Sequence, residues 1–209
     1  MKHRGWFITF EGGEGAGKST MIGRCSRWLA ERGHDLVNTR EPGGTILAEK
    51  IRQIVLGIDH AALCAKTELL LVFAARAQHL EELIRPALAS GRTVLCDRFT
   101  DATWAYQGGG RGMPGALIAT LEEAVHGDLQ PDLTILLDLP PQLGMSRIAK
   151  RGAADRIERE PPAFFDRVRQ AYLDRAALAP QRFAVVDATA DEPAVWRQVE
   201  HILQQRILP

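Results

Sequence analysis

The chain has 209 residues, with 26 basic and 26 acidic side chains and a formal net charge of zero. That balance speaks against a general electrostatic grip on nucleic acid or on an anionic membrane, so any basic site has to be local. Three cysteines, Cys25, Cys64 and Cys96, lack C-x-x-C spacing and suggest neither a disulfide framework nor a zinc site; they fit core thiols of a reducing compartment. The length suits one α/β domain with a substantial core. Residues 1–5 lead straight into an apolar run, without a secretory hydrophobic region or a segment long enough to span a membrane, and a cytoplasmic protein is expected.

The first strand, Trp6 to Phe10, ends in Glu11-Gly12-Gly13-Glu14-Gly15-Ala16-Gly17-Lys18-Ser19-Thr20. Gly12 and Gly17 to Ser19 fit G-x-x-x-x-G-K-[ST], and Met21 to Arg32 carries apolar residues at helical spacing, so the motif sits between strand and helix as a P-loop requires. Small residues from Gly12 to Thr20 let successive N–H groups turn inward around a polyphosphate. Lys18 reaches the outer phosphates, and the Ser19 hydroxyl is placed to ligate Mg²⁺ at the positive end of the helix. Such a loop binds a nucleoside triphosphate. Glu14 is out of place beside phosphates and is expected to point away, toward another ligand.

Gly33 ends the helix, and Asp35 to Thr39 reads as a short strand. Thr39 to Thr45 (TREPGGT) follows at its C-terminal end, where open α/β sheets place ligands; it aims Arg40 at the site, and Pro-Gly-Gly behind it favours an anion as the partner. Ile46 to Leu56 forms a helix that stops at Gly57. A longer helix runs from about Lys66 to Ala89, with Pro86 as a kink point. Phe73 and Arg76 share a face of it. Phe73 is open to core packing as much as to ligand contact, whereas an Arg amid Leu, Val, Phe and Ala calls for an anionic partner.

Thr93 to Cys96 is a buried strand ending in Asp97-Arg98-Phe99. Asp97 is a candidate for the Mg²⁺ shell or for holding an arginine, and Arg98 for a phosphate. Thr100 to Gly112 (TDATWAYQGGGRG) dissolves into three glycines between Tyr106-Gln107 and Arg111, the pattern of a loop wrapped on a ligand. Pro114 opens a helix to about Val125, Leu133 to Asp138 is the next strand, and Pro140-Pro141 start a helix leading into the densest basic cluster: Arg147, Lys150, Arg151, Arg156 and Arg159. These bases straddle Gly152-Ala153-Ala154 and predict a lid over about residues 144–160 that closes on phosphates. A helix from about Pro162 to Ala179, a strand Phe183 to Asp187 and a helix from Glu192 to Ile207 follow. Five parallel strands alternating with helices on both faces, in one domain over residues 1–209, are expected.

With these residues in hand, the chain resembles the bacterial thymidylate (dTMP) kinases. The resemblance is carried by the P-loop, Thr39 to Thr45, Ala74-Ala75-Arg76 with Gln78, Asp97-Arg98, Ala105 to Gly112 and Asp155-Arg156-Ile157-Glu158; the P-loop alone marks only the wider NTPase superfamily. It implies a P-loop NTPase fold of the nucleoside monophosphate kinase type with a lid, transfer of the γ-phosphate of ATP to dTMP with Mg²⁺ to give dTDP, and a homodimer. By the same resemblance Lys18 and Ser19 serve ATP and its metal. Arg40 and Arg98 meet the acceptor phosphate, with Asp97 positioning the metal or an arginine. Arg76 and Thr103 hydrogen-bond thymine, Tyr106 stands where a ribose 2′-OH would go, and Glu14 binds the deoxyribose 3′-OH. Some members carry a basic residue where this chain has Gly15; its absence implies a catalytic arginine from the lid, with Arg151 and Arg156, which border the tip, favoured. Many members place a thymine-stacking Phe four residues before the helix arginine, a position held here by Val72, so Phe73 is the expected aromatic contact. Two rivals share the P-loop. One is a kinase for another nucleotide or a deoxynucleoside, against which AYQGGGR and TREPGG count; the other is an NTP-hydrolysing switch or motor, for which no net basic face or water-positioning residue is visible.

Overall fold

The computed structural model describes residues 4–58, 63–149 and 154–207. In chain order these form β1 (Phe7–Glu11), α1 (Lys18–Ala30), β2 (Leu36–Arg40), α2 (Ile46–Leu56), α3 (Ala65–His79), a π-helical stretch Leu80–Ile84 and α4 (Arg85–Ala89). Then come β3 (Thr93–Asp97), α5 (Thr100–Thr103), a second π-helical stretch Trp104–Gly110, α6 (Gly115–Val125), β4 (Leu133–Asp138), α7 (Pro141–Ile148), α8 (Pro162–Leu178), β5 (Phe183–Asp187) and α9 (Glu192–Arg206). The five strands are parallel in the order β2-β3-β1-β4-β5.

Every residue of β1 is buried, as a parallel strand covered on both faces should be. Its side chains alternate between two cores. Ile8 and Phe10 pack with Met21, Cys25 and Leu29 of α1 and with Val199 and Leu203 of α9, while Phe7 joins Leu80, Ile84 and Leu88 on the opposite face. The register sets Arg40 of β2 opposite Asp97 of β3, and Asp97 opposite Phe10 of β1. The P-loop, Arg98 and Glu41 therefore leave the sheet from one edge, at the point in the strand order where ligands collect.

Two segments depart from their sequence expectation. The Lys66 to Ala89 helix widens into a π turn over Leu80–Ile84, just before Pro86. Proline has no N–H to donate and its ring crowds the carbonyl four residues back; a wider turn relieves both. Thr100 to Gly110 is helical where a loop is expected from the sequence. Its glycines serve packing against α8: a Cβ on Gly110 would lie 2.4 Å from the Phe164 ring, and one on Gly109 would lie 2.9 Å from the Arg167 carbonyl oxygen. Among the described residues no helix is long and apolar enough to cross a membrane.

Candidate active site

The loop after β1 is shaped by glycines at positive φ, Gly12 at 131°, Gly15 at 70° and Gly17 at 90°. At Gly12 a Cβ would lie 2.4 Å from the Leu137 carbonyl oxygen of β4, so space as well as conformation bars a side chain. Gly17 opens α1 and no side chain caps it, which leaves the first N–H groups of the helix for an anion. Lys18 is buried and its Nζ donates to the carbonyl oxygens of Gly12 (3.1 Å) and Gly13 (3.0 Å). Burial and then the like charge of Arg98 lower its pKa.

The cavity beside this loop is lined by Arg40, Arg52, Arg98 and Arg147 together with Lys18 and Asp97. Arg52 projects from α2, half-buried, with Nη1 donating to the Pro42 carbonyl (2.9 Å); burial and then the like charge of Arg40 lower its pKa. Two cations depressed by burial and by neighbouring cations mark a site with surplus positive charge, the condition a polyphosphate relieves. Arg40 sits at the rim, its side chain 55% exposed and paired with Glu49 at 3.0 Å. Arg147, from the last turn of α7, donates to the Gly15 carbonyl at 3.3 Å. It reaches the loop because Gly144 brings α7 onto the Glu14 backbone; a Cβ there would lie 2.2 Å from the Glu14 carbonyl oxygen.

The Ser19 hydroxyl lies 3.5 Å from Asp97 Oδ2, and Asp97 Oδ1 is buried without a hydrogen-bond partner. A hydroxyl and a carboxylate oxygen left unsatisfied beside a phosphate-binding loop suit a hard cation that takes few protein ligands and completes its shell with phosphate and water, which fits Mg²⁺. Among the described residues no cluster of three or more acidic, His or Cys side chains offers a self-sufficient metal cage.

Arg98 follows β3 at φ 70°, a costly conformation for a side chain with a Cβ, and it is held there by three contacts. Nη2 donates to Glu14 Oε1 (2.7 Å), Nη1 donates to the Tyr172 hydroxyl (3.2 Å), and the guanidinium lies 4.7 Å over the Tyr106 ring. Tyr106 also donates to Glu14 Oε1 (2.9 Å). Glu14 thus accepts from both Arg98 and Tyr106 through one oxygen. Behind them, buried Glu11 accepts from Tyr172 (2.7 Å) and from the Phe99 N–H (2.7 Å), and its pKa is pushed up to about 8 by burial and by the charge of Asp101. A carboxyl that keeps its proton to about 8 when folded and to 4.5 when unfolded stabilises the fold fully below pH 4.5, and that contribution drains away as pH rises through 8. Glu11→Gln, whose amide donates toward Tyr172 while its oxygen accepts from Phe99, should flatten the fall in stability between pH 5 and 8 by about 1 kcal/mol per pH unit. Thermal melts across that range test this; parallel slopes for the two proteins would mean that Glu11 is ionised in the native state.

A second cavity adjoins the first. Glu14, Arg52 and Arg98 line both, and its apolar walls are Val55 and Leu56 of α2, Val72 of α3, Phe99, Ala102 and Ile157. Arg76 is 1% exposed at its base. Nε donates to Glu41 (2.7 Å), and Nη2 donates to Thr103 Oγ1 (2.9 Å) and the Phe99 carbonyl (3.1 Å). Glu41 also meets His79 Nδ1 (3.0 Å), whose Nε2 meets Thr39 (2.7 Å). Burial alone would raise the Glu41 pKa; the charge of Arg76 and the His79 hydrogen bond bring it below the usual carboxylate value. Arg76 Nη1 is left buried without a partner, a donor of the kind that a planar polar ring satisfies. Phe73 does not line this cavity. Its ring packs with Leu69 and Ile118 in the core and lies 4.9 Å beneath the Arg76 guanidinium; one step of about 100° around α3 turns Val72, and not Phe73, to the cavity.

The sequence profile described as thymidylate kinase matches residues 10–199. Thymidylate kinase of Pseudomonas putida is 58% identical over 199 residues, covering 95% of each chain, and that of Alcanivorax borkumensis is 56% identical over 201 residues, covering 96% of this chain and 97% of the relative. The crystal structure of thymidylate kinase from Ehrlichia chaffeensis superposes with a TM-score of 0.78 at 33% identity, over 96% of this chain and 99% of that one. The chain belongs to the thymidylate kinase family.

Against that membership the lid residues sort unevenly. Arg156 lines neither cavity: Nη2 donates to Glu68 Oε2 (2.6 Å) and Nε to the Val55 carbonyl (2.7 Å), so the structure does not bring it together with the P-loop cations. Arg111 is likewise away from both cavities, paired with Glu160 (2.5 Å) and Glu68 (3.2 Å), because Glu68 is a fully buried carboxylate that draws in every cation within reach. Gln107 lines the second cavity and donates to Glu68 (2.7 Å). Arg151, with Lys150, Gly152 and Ala153, lies outside the described residues. Arg52 was missed by the sequence reading. Its signal is its spacing, four residues after Ala48 and three before Val55, which puts it on the buried face of α2.

Proposed function

We propose that this protein transfers the γ-phosphate of ATP to dTMP, giving dTDP and ADP. The observation that carries the reading is the shared wall: Arg52 and Arg98 line both the phosphate-side cavity and the apolar one, so their junction is where an acceptor phosphate would face the terminal phosphate of a bound triphosphate. Lys18 and the N-terminus of α1 hold the triphosphate, and Ser19 and Asp97 would hold Mg²⁺, which would supply charge neutralisation at the phosphates. Arg98 and Arg52 grip the acceptor phosphate, with Arg40 at the rim. Arg76 and Thr103 hydrogen-bond thymine against Val72, Tyr106 fills the space of a 2′-OH, and Glu14 accepts from the 3′-OH. Phosphoryl transfer asks for in-line placement and charge neutralisation more than for covalent chemistry, and this set of groups supplies both. The lid cation is assigned to Arg147, which already reaches the Gly15 carbonyl, and to Arg151, which rests on sequence alone.

Incubation with ATP labelled at the γ-position and Mg²⁺ tests the reading. Labelled dTDP should form only when dTMP is present; release of phosphate without acceptor would favour the hydrolysing switch. A homodimer in the cytoplasm is part of the proposal. Exposed Ile46, Leu47 and Ile54 of α2 and Leu70 of α3 support self-association through these packed helices, and buried free thiols at Cys25 and Cys96 suit a reducing setting.

The reading separates Val72 from Phe73. Phe73→Leu should cost about 1–2 kcal/mol of stability and leave the dTMP KM within about twofold, whereas Val72→Ala, which removes cavity wall, should raise that KM about fivefold. Melting curves and steady-state kinetics on both variants check this; a large KM change in Phe73→Leu would return the aromatic contact to Phe73.

A further inference from the structure

Glu68 is fully buried on the first turn of α3, and three donors from two distant segments converge on it: Gln107 Nε2 (2.7 Å) and Arg111 Nε (3.3 Å) around the Trp104–Gly110 stretch, and Arg156 Nη2 (2.6 Å) from the lid. Burial alone would raise the pKa of Glu68; the hydrogen bonds from Gln107 and Arg156 and the charge of Arg111 hold it below the usual carboxylate value. Arg156 is fixed twice more. Its Nε donates to the Val55 carbonyl (2.7 Å) and its backbone N–H to the Leu56 carbonyl (3.1 Å), both in the last turn of α2, where helix carbonyls lack intrahelical partners and favour a cation. The residues on either side of Arg156 are shaped by a local turn in which Asp155 Oδ1 accepts from the N–H groups of Ile157 (2.8 Å) and Glu158 (2.9 Å). That turn places Asp155 and Ile157 on the wall of the apolar cavity, and Ile157 is 7% exposed there, packed with Tyr106 and Phe165.

We propose that Arg156 is a positioning residue: clasped by Glu68 and by the C-terminus of α2, it seats Asp155 and Ile157 as one wall of the acceptor cavity, so the lid stem sets acceptor affinity and does not supply the transition-state cation. The inference rests on the assignment of that cavity to dTMP. The same buried carboxylate holds Gln107 and Arg111, so the acceptor-side helical stretch and the lid stem are tied into one wall.

The test is the dissociation constant of dTMP, measured calorimetrically without ATP, together with kcat and both KM values, on wild type, Arg156→Met, Arg156→Lys and Glu68→Gln. In Arg156→Met the dTMP dissociation constant and KM should rise about tenfold or more together, with kcat within about threefold and the ATP KM unchanged. Arg156→Lys, which keeps charge against Glu68 and the main-chain bond to Leu56 but cannot also reach the Val55 carbonyl, should fall between. Glu68→Gln should shift dTMP binding in the same direction, and the double change should cost less than the sum of the two singles. Should Glu68→Gln fail to fold, the two Arg156 variants decide alone. Unchanged dTMP binding with a fall in kcat would make Arg156 an arginine finger and overturn the clasp; a lower melting temperature with unchanged dTMP binding would leave it a purely structural tie and overturn it as well. Wild-type protein that neither binds nor phosphorylates dTMP would defeat the assignment of the cavity itself, and the clasp with it.

Discussion

Lys18→Ala is expected to lower kcat about a thousandfold or more, roughly 4 kcal/mol of transition-state stabilisation, while the melting temperature moves by only a few degrees. The asymmetry follows from where Nζ sits. Its hydrogen bonds go to the Gly12 and Gly13 carbonyls of the loop itself, so little of the fold depends on the ammonium group. Burial and the charge of Arg98 make the free site unfavourable for a cation, and that penalty is relieved when negative charge spreads over a transferring phosphoryl group. Steady-state kinetics with saturating ATP and dTMP, beside a thermal melt, check both halves. Turnover within tenfold of wild type would remove Lys18 from the chemistry.

Arg98→Met should lower kcat/KM for dTMP by about a thousandfold, with kcat and KM both affected, because this residue lines the cavity on both sides of the proposed transfer. Removing the guanidinium takes an ion pair from Glu14 and a hydrogen-bond donor from Tyr172, while the left-handed backbone that those contacts hold in place remains. A fall in melting temperature of several degrees should accompany the kinetic loss. Arg98→Lys keeps the charge without the fork that spans Glu14 and Tyr172, and should recover less than a tenth of the lost activity. Recovery of most of it would reduce Arg98 to a point charge.

The parts of this site legible in the sequence are those whose physics is local. A strand, a run of glycines, Lys-Ser and a helix are enough to specify a phosphate cradle, because the same few residues provide the turn, the N–H groups and the cation. Two strands are equally plain: Leu133–Asp138, a short apolar run buried over its first five residues, and Phe183–Asp187, an edge strand of aromatic and β-branched residues with Val185 exposed. What escaped depends on rotation around a helix or on distance along the chain. Val72 and Phe73 are neighbours in sequence and face different surroundings, and only the packing of α3 against Ile118 decides which ring or side chain is core. Arg40 is legible because it ends a strand, yet Glu49 holds it at the rim, while α2 carries inward Arg52, which no motif marks. Arg156 was read as a phosphate ligand from its basic neighbourhood, and the carboxylate that claims it lies 88 positions away. The glycine run predicts a loop wrapped on a ligand, where the close approach of α8 is what requires two of its members, Arg167 at Gly109 and Phe164 at Gly110.

The central claim is that the apolar cavity reads thymine through the buried Arg76 donor and deoxyribose through the bulk of Tyr106. The most direct test is the specificity constant, kcat/KM with ATP fixed, for dTMP, dCMP, dGMP and the ribonucleotide counterpart of dTMP. Arg76 Nη1 needs an acceptor, and cytosine presents an amino group where thymine presents a carbonyl, so a buried donor would be left facing a donor. The account predicts dTMP ahead of dCMP and dGMP by about a hundredfold or more, and ahead of its ribonucleotide counterpart, with that last margin narrowing in Tyr106→Ala. Comparable constants for dTMP and dCMP in the wild-type protein would contradict it.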